Sequence, residues 1–464
     1  MEEDLREKLF DKKENGWKKI NEEERKKAFE ISKGYMEFLN KSKIEREFIK
    51  NARKLADQNG FRDIMEFDTL KPGDKIYFIN RNKSMYLAII GSENIENGMH
   101  IIGSHVDSPR LDLKPNPLYE DAEMAYFKTH YYGGIKKYQW TTIPLSIPGT
   151  IVKTKGEKID ICIGEDENDP IFTITDLLPH LAQEQMERKL KNGVAGEDLN
   201  LLIGSIPATE EGKEQVKLNI LKILNKKYGI VEADLTSSEI ELVPAFKARS
   251  LGFDEGMVAA YGQDDKVCAY TSLKAICEVE NPKKTAVCIL VDKEEIGSIG
   301  NTGMEARAFE NFVLEMIALR GEEKTPNTIA KALANSKMLS ADVDGAFDPI
   351  YASVAEKRNS SFFGMGVGLN KYTGARGKSG ANDANAEYVA ELRKLFDDNK
   401  VRFQISELGK VDEGGGGTIA YILANKGMDV IDCGTPVLSM HSPYEVTSKF
   451  DVYMSYRAYK VFME

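Results

Sequence analysis

Four short apolar runs in this chain each end in side chains that bind divalent metal ions. Residues 99–103 lead into Ser104-His105-Val106-Asp107, and residues 285–291 into Asp292-Lys293-Glu294-Glu295. Residues 337–339 lead into Ser340-Ala341-Asp342, and residues 428–432 and 436–439 into Met440-His441-Ser442. Asp264 and Asp265, in Gly262-Gln263-Asp264-Asp265-Lys266, add two carboxylates where a helix is expected to start. Two histidines with roughly three or four carboxylates can give each of two divalent ions nitrogen and oxygen ligands and leave room for a bridging water. Such ions, about 3.5–4 Å apart, polarise a carbonyl and lower the pKa of the shared water. A carboxylate left off the metals must then take the water's proton, and the adjacent Glu294 and Glu295 offer one residue for each duty. In His105-Val106-Asp107 the aspartate can accept the other N–H of the imidazole. Taken singly, these residues have plainer readings. A lone histidine such as His100 or His130 is usually packed or solvated, a Glu-Glu pair is surface charge, and an Asp-Asp pair opening a helix is a cap. Their common placement behind apolar runs is what sets them apart.

Placing those side chains together requires an open α/β sheet, in which sites form outside the carboxyl ends of strands. From residue 258 onward, short apolar strands alternate with helical patterns, the sign of a largely parallel sheet. The run 285–291 is apolar throughout, as expected of a strand covered on both faces. Residues 75–80 and 84–91 read as a hairpin. Ahead of it lie charged amphipathic helices, with capping-box spacing at Asn21/Glu24 and Ser42/Glu45. A β-rich block over about 115–244, with runs such as 141–147, 158–163 and 240–243, interrupts the pattern. The expected architecture is therefore a discontinuous α/β domain of residues 1–114 and 249–464, flanked by helices, with an inserted β-rich domain at 115–248.

Composition removes several function classes. A net charge of −11 over 464 residues repels nucleic acid and anionic membrane. No apolar stretch approaches the roughly 18 residues needed to span a bilayer. Met1, Glu2, Glu3 and Asp4 lack the basic-then-apolar pattern of a signal peptide. Cys162, Cys268, Cys277, Cys288 and Cys433 form no CxxC pair, and an odd number argues against a complete disulfide framework. These features point to a reducing cytoplasm.

A series of motifs then narrows the reading. They are GSHVDSPRLDLKP from Gly103, YGGI from Tyr132, LPHLA from Leu178, GQDDKVCAY from Gly262, DKEEIGS from Asp292, SADVDGA from Ser340, GGGTI from Gly415 and SMHSPYE from Ser439. In this order and over essentially the whole chain, the sequence resembles the aspartyl aminopeptidase family of co-catalytic zinc aminopeptidases. The resemblance implies that Asp264 bridges two metals, that His105 and Asp342 complete one shell, and that Glu295 and His441 complete the other. It further implies Glu294 as general base, Asp107 as the residue orienting His105, and the insert as a dimerisation domain. His180, in LPHLA, matches a family histidine that reaches a neighbouring subunit's active site. The implied assembly is a homo-oligomer, a tetrahedral dodecamer built from dimers, acting on peptide substrates with two Zn2+ per subunit. Co2+ or Mn2+ could bind similar ligands.

Two stretches depart from the family pattern. Asp265 stands where many members carry asparagine, and Lys266 beside it is a candidate to neutralise it. Residues 370–378 align poorly, where the family reads the substrate's N-terminal side chain. An acidic side chain there would need a local cation, for which Lys371, Arg376 and Lys378 are the candidates. A two-metal deacylase or carboxypeptidase uses similar ligands but must bind a free α-carboxylate. A non-catalytic scaffold would gain nothing from so much concentrated charge.

Overall fold

The computed structural model describes Leu5, Leu9, Phe10 and residues 14–464; the acidic start at Met1 to Asp4 lies outside them. A nine-stranded sheet forms the body of the protein. At its centre, Thr285–Val291, Met99–His105, Lys337–Ser340 and Asp429–Gly434 lie side by side and parallel. The hairpin of Lys75–Asn80 and Ser84–Ile89 joins antiparallel on one flank, and Val367–Asn370 and Phe403–Ser406 extend the other. The register pairs Val291 with His105, Ser340 with Gly103, and Ser340 with Asp432, so the four central strands end at one common edge.

Period-two alternation explains the all-apolar centre. Ile102, Cys288, Leu290, Leu339 and Ile431 face one layer, with Phe48 and Leu273 of the helices Glu45–Gln58 and Gln263–Cys277. Ile101, Val287, Ile289, Met338 and Val430 face the other, with Phe309 and Phe312 of the helix Ala308–Leu319.

The chain leaves this body at Arg110, five residues ahead of the position at which the sequence pattern changes. Arg110–Asp121 is the first strand of a six-stranded antiparallel sheet that continues to Ser238–Pro244. This insert has its own core around Trp140, Leu111 and Leu242. It also carries a 14-residue helix, Gln215–Tyr228, which a β-rich reading overlooked. A third, five-stranded sheet includes Met257–Ala260, Pro436–Leu438 and Glu445–Ser448. No helix among the described residues is long and apolar enough to cross a membrane.

One expected cap is present and the other is not. Asn21 and Glu24 form the reciprocal capping box of the helix Glu22–Leu39. Ser42 caps nothing: the next helix starts behind Ile44, and Glu45 is drawn inward, 3.5 Å from Lys83 Nζ and 3.7 Å from Arg110 Nη1. The Ser42 N–H that a capping box would give to Glu45 donates instead to the Leu39 carbonyl, at 3.0 Å.

Trp140 is fully buried and packs edge-on against Tyr261, whose hydroxyl donates to the Pro109 carbonyl. Insert and sheet domain meet there. Trp140→Ala is expected to lower stability by about 3–5 kcal/mol, read as a lower urea midpoint.

Candidate metal centre

The common strand edge gathers the candidate ligands. His105 is the last residue of its strand, and Asp342 follows Ser340 by two residues. Glu294 and Glu295 sit in a 3-10 turn after Val291, where Lys293 adopts a left-handed φ of 68° and reverses the chain. His441 lies in the turn behind Pro436–Leu438, and Asp264 in the irregular first turn of the helix Gln263–Cys277.

Asp264 stands in the middle. Its Oδ1 is 3.2 Å from His105 Nε2 and its Oδ2 is 3.1 Å from His441 Nε2. His441 Nε2 also lies 3.4 Å from Glu295 Oε1, and His105 Nε2 lies 4.0 Å from Asp342 Oδ1 and 3.9 Å from Glu294 Oε2. Both imidazoles are oriented from behind. His105 Nδ1 is 3.1 Å from the Asp107 carbonyl oxygen and 3.3 Å from Asp107 Oδ1; His441 Nδ1 is 2.9 Å from the Gly134 carbonyl oxygen. With Nδ1–H donated to those acceptors, each ring turns its Nε2 lone pair toward Asp264.

The donor set fits a divalent cation. An Nε2 lone pair facing a carboxylate oxygen at hydrogen-bond distance requires positive charge between them, from a proton or a metal. Two protons would not neutralise this cluster, in which Asp264, Asp265, Glu294, Glu295 and Asp342 converge. Asp264 Oδ1, Asp265 Oδ1 and Glu295 Oε1 are buried without a hydrogen bond, an arrangement that is costly unless a cation supplies the missing partner.

The titration directions carry the same message. Burial pushes Glu294 up to about 7, with His105 pulling it down and Asp107 pushing it up. Burial, reinforced by Asp264, holds Glu295 well above the usual carboxylate range, and burial with Glu294 does the same for Asp342. Burial opposes ionisation of Asp264 too, but the two imidazoles outweigh it and hold that carboxyl low. His441 is raised to about 10 because Asp264 and Glu295 outweigh its burial.

Two carboxylates hold the frame without reaching the centre. Asp107 accepts the backbone N–H of Glu294 at 3.1 Å and of Glu295 at 3.2 Å, and the Tyr132 hydroxyl at 2.8 Å. Glu445 accepts the N–H of Gln263 at 2.6 Å, of Asp264 at 3.1 Å and of His441 at 2.7 Å. Sequence reasoning assigned Asp107 a part and missed Tyr132 and Glu445, although both lie inside the conspicuous YGGI and SMHSPYE motifs.

Other expectations resolve differently. Lys266 does not meet Asp265: its buried ammonium donates to Ser108 Oγ at 2.5 Å, while Asp265 Oδ2 accepts the His105 N–H at 3.3 Å. The irregular first turn, in which Asp265 is non-helical at φ −111° and ψ 24°, sends the two neighbouring side chains to different partners. Lys371 and Lys378 both pair with Asp383, at 3.6 and 2.9 Å. Arg376 has no acidic partner among the described residues and lines a pocket between residues 372–378 and 407–414. His180 is exposed on the turn Pro179–Leu181 and has no hydrogen-bond or ion-pair partner among the described residues. His100 stacks on Phe462 and His130 is exposed, both away from the centre.

The chain as a whole is similar to known proteins. Residues 38–463 match the family model described as aminopeptidase I zinc metalloprotease (M18). A probable M18 family aminopeptidase 1 of Clostridium acetobutylicum is 53% identical over 460 residues, covering 98% of this chain and 99% of the relative. The crystal structure of an M18-family aminopeptidase from Thermotoga maritima superposes with a TM-score of 0.95 at 45% identity, covering 98% of this chain and 100% of that one. The fold extends to the yeast mApe1 dodecamer, at 22% identity and a TM-score of 0.75 over 93% of this chain and 96% of that one.

A metal held only by the folded state stabilises it by about 4 kcal/mol at a thousandfold excess over Kd. Chelation should therefore lower the melting temperature, and zinc should restore it. Asp264→Asn should abolish that zinc-dependent shift in a calorimetric scan.

Proposed function

The chain belongs to the aminopeptidase I zinc metalloprotease (M18) family, and from that premise we propose how its residues divide the work of removing the N-terminal residue of a peptide. His105 and Asp342 would hold one zinc ion, Glu295 and His441 a second, with Asp264 shared between them. The observation that carries this reading is the Asp264 carboxylate, whose two oxygens each face a different imidazole at 3.2 and 3.1 Å. Bound there, zinc would supply Lewis-acid polarisation of the scissile carbonyl and a water acidified toward neutrality.

Glu294 is the general base. Its Oε2 lies 3.9 Å from His105 Nε2 and its side chain is 15% exposed, so it borders the cluster from a side that solvent reaches. Its carboxyl, raised to about 7, suits a group that must accept and return a proton near neutral pH. Glu294 takes the proton of the attacking water and delivers it to the nitrogen of the leaving amine as the C–N bond breaks. Asp107 holds His105 and the turn carrying Glu294 in one geometry.

For an acidic N-terminal residue, Arg376 is the cation best placed to respond, because Asp383 already engages Lys371 and Lys378. Assembly extends the same reading. Leu177, Leu178 and Leu181 around His180 are 50–69% exposed, an apolar stretch suited to a neighbouring copy. His180 of the partner subunit would then complete each active site, within a dodecamer like that of the yeast protein. Five free cysteines, four of them buried, fit a cytoplasmic location.

Aminoacyl substrates with free amino termini should be hydrolysed, with activity lost to chelator and regained with zinc. Cleavage confined to N-acylated substrates would instead favour a deacylase. Glu294→Gln is expected to reduce kcat by about 10²–10⁴-fold with zinc content unchanged; lost zinc would make Glu294 a ligand. Arg376→Ala should raise KM for Asp and Glu substrates and leave Leu substrates unaffected. Equal effects on both would remove the acidic preference.

A further inference from the structure

The metal ligands come from the sheet domain and the turns around it, yet the inserted domain also touches the centre. Its strand Met124–Tyr132 ends there, and three consecutive residues make three different contacts. The Tyr132 hydroxyl donates to Asp107 Oδ2 at 2.8 Å. Gly133, at a φ of +69° that favours glycine, packs beside Glu295 and Pro109: a Cβ there would lie in ordinary contact, 3.4 Å from Glu295 Cβ and Oε2 and from Pro109 Cβ. The Gly134 carbonyl faces His441 Nδ1 at 2.9 Å, and a Cβ on Gly134 would stand 3.2 Å from the same nitrogen.

Each contact acts on something the centre needs. Asp107 has two oxygens for four donors: the Tyr132 hydroxyl, the Glu294 and Glu295 amides, and His105 Nδ1 at 3.3 Å. Without the tyrosine hydroxyl, Oδ2 retains only the longer bond to the Glu295 amide. The tyrosine is itself held. The Arg110 guanidinium lies 3.9 Å from the ring centroid, and Arg110 is anchored by Asp112 at 2.8 Å and Glu241 at 2.9 Å, both on strands of the insert. The Gly134 carbonyl fixes the tautomer of His441, which keeps Nε2 free to bind.

We infer that Tyr132, Gly133 and Gly134 are a positioning segment through which the inserted domain sets the geometry of the metal centre. Their contacts are to Asp107, Glu295 and His441, and they act through those residues. This rests on the zinc reading above and adds to it that zinc affinity and turnover depend on how the insert is seated.

The test compares the wild-type protein with Tyr132→Phe, Gly134→Ala and Tyr126→Phe. Tyr126 lies on the same strand, and among the described residues its hydroxyl meets only Met124 Sδ, at 3.4 Å. Zinc affinity is read by competition with a chelator, alongside kcat, KM and the melting temperature of the metal-free protein. Tyr132→Phe keeps the ring that faces Arg110 and removes only the donor. It should weaken zinc binding or lower kcat by about 10- to 100-fold, with KM within about twofold and the metal-free melting temperature within about 2 °C. Gly134→Ala should weaken zinc binding, and Tyr126→Phe should change nothing.

Wild-type zinc affinity and kcat in Tyr132→Phe would overturn the inference, whatever Gly134→Ala does to folding. A wild-type protein that binds zinc but cleaves no peptide would sink the assigned activity, and the affinity measurements would still decide the positioning role. A wild-type protein that takes up no zinc would overturn both.

Discussion

Bringing several ionisable carboxylates within a few ångströms of one another, in a site that is mostly buried, is the constraint to which the rest of this structure answers. Like charges at such distances repel strongly where water cannot screen them. Part of the compensation is the cation the cluster is built to hold. The remainder is structural: parallel strands bring His105, Asp342 and the turn of Glu294 and Glu295 to one edge, and fixed N–H groups hold the carboxylates behind them.

Asp107 and Glu445 show how that framework is made. Neither has a lysine or arginine partner at bonding distance; each is held mainly by backbone amides. Amides are fixed dipoles that cannot swing away, so an accepting carboxylate locks the loop as firmly as the loop locks it. Asp107 ties His105 to Glu294 and Glu295, while Glu445 ties Asp264 to His441. Between them these two buried residues connect most of the ligand set.

The candidate segments were legible because the relevant pattern is local: an apolar strand followed at once by His, Asp or Glu. The strand Thr285–Val291 is legible for the same reason. What escaped was long-range. Glu445 meets amides at Gln263 and Asp264, some 180 positions away, and no local pattern announces such a partner. Ser42 had the spacing of a cap, but Glu45 was claimed by Lys83 and Arg110. Lys266 next to Asp265 suggested a neutralising pair, but the irregular turn at Asp264 and Asp265 leaves the lysine bonded to Ser108 instead. The helix Gln215–Tyr228 escaped because strands flank it on both sides, at Leu201–Gly204 and Ser238–Pro244, and of its residues only Val216 is buried.

The route of the chain also sets the order of events during synthesis. The Gly134 carbonyl and the His441 ring that meets it are 307 positions apart, and Glu445 follows later still. A ribosome-bound chain that has emerged only as far as the insert carries His105 and Asp107 but none of their carboxylate partners from the second half. Such long loops must close before their contacts can contribute. Asp264, Glu295, Asp342 and His441 all follow the insert in the chain, so the cluster would come together only after the second half has folded.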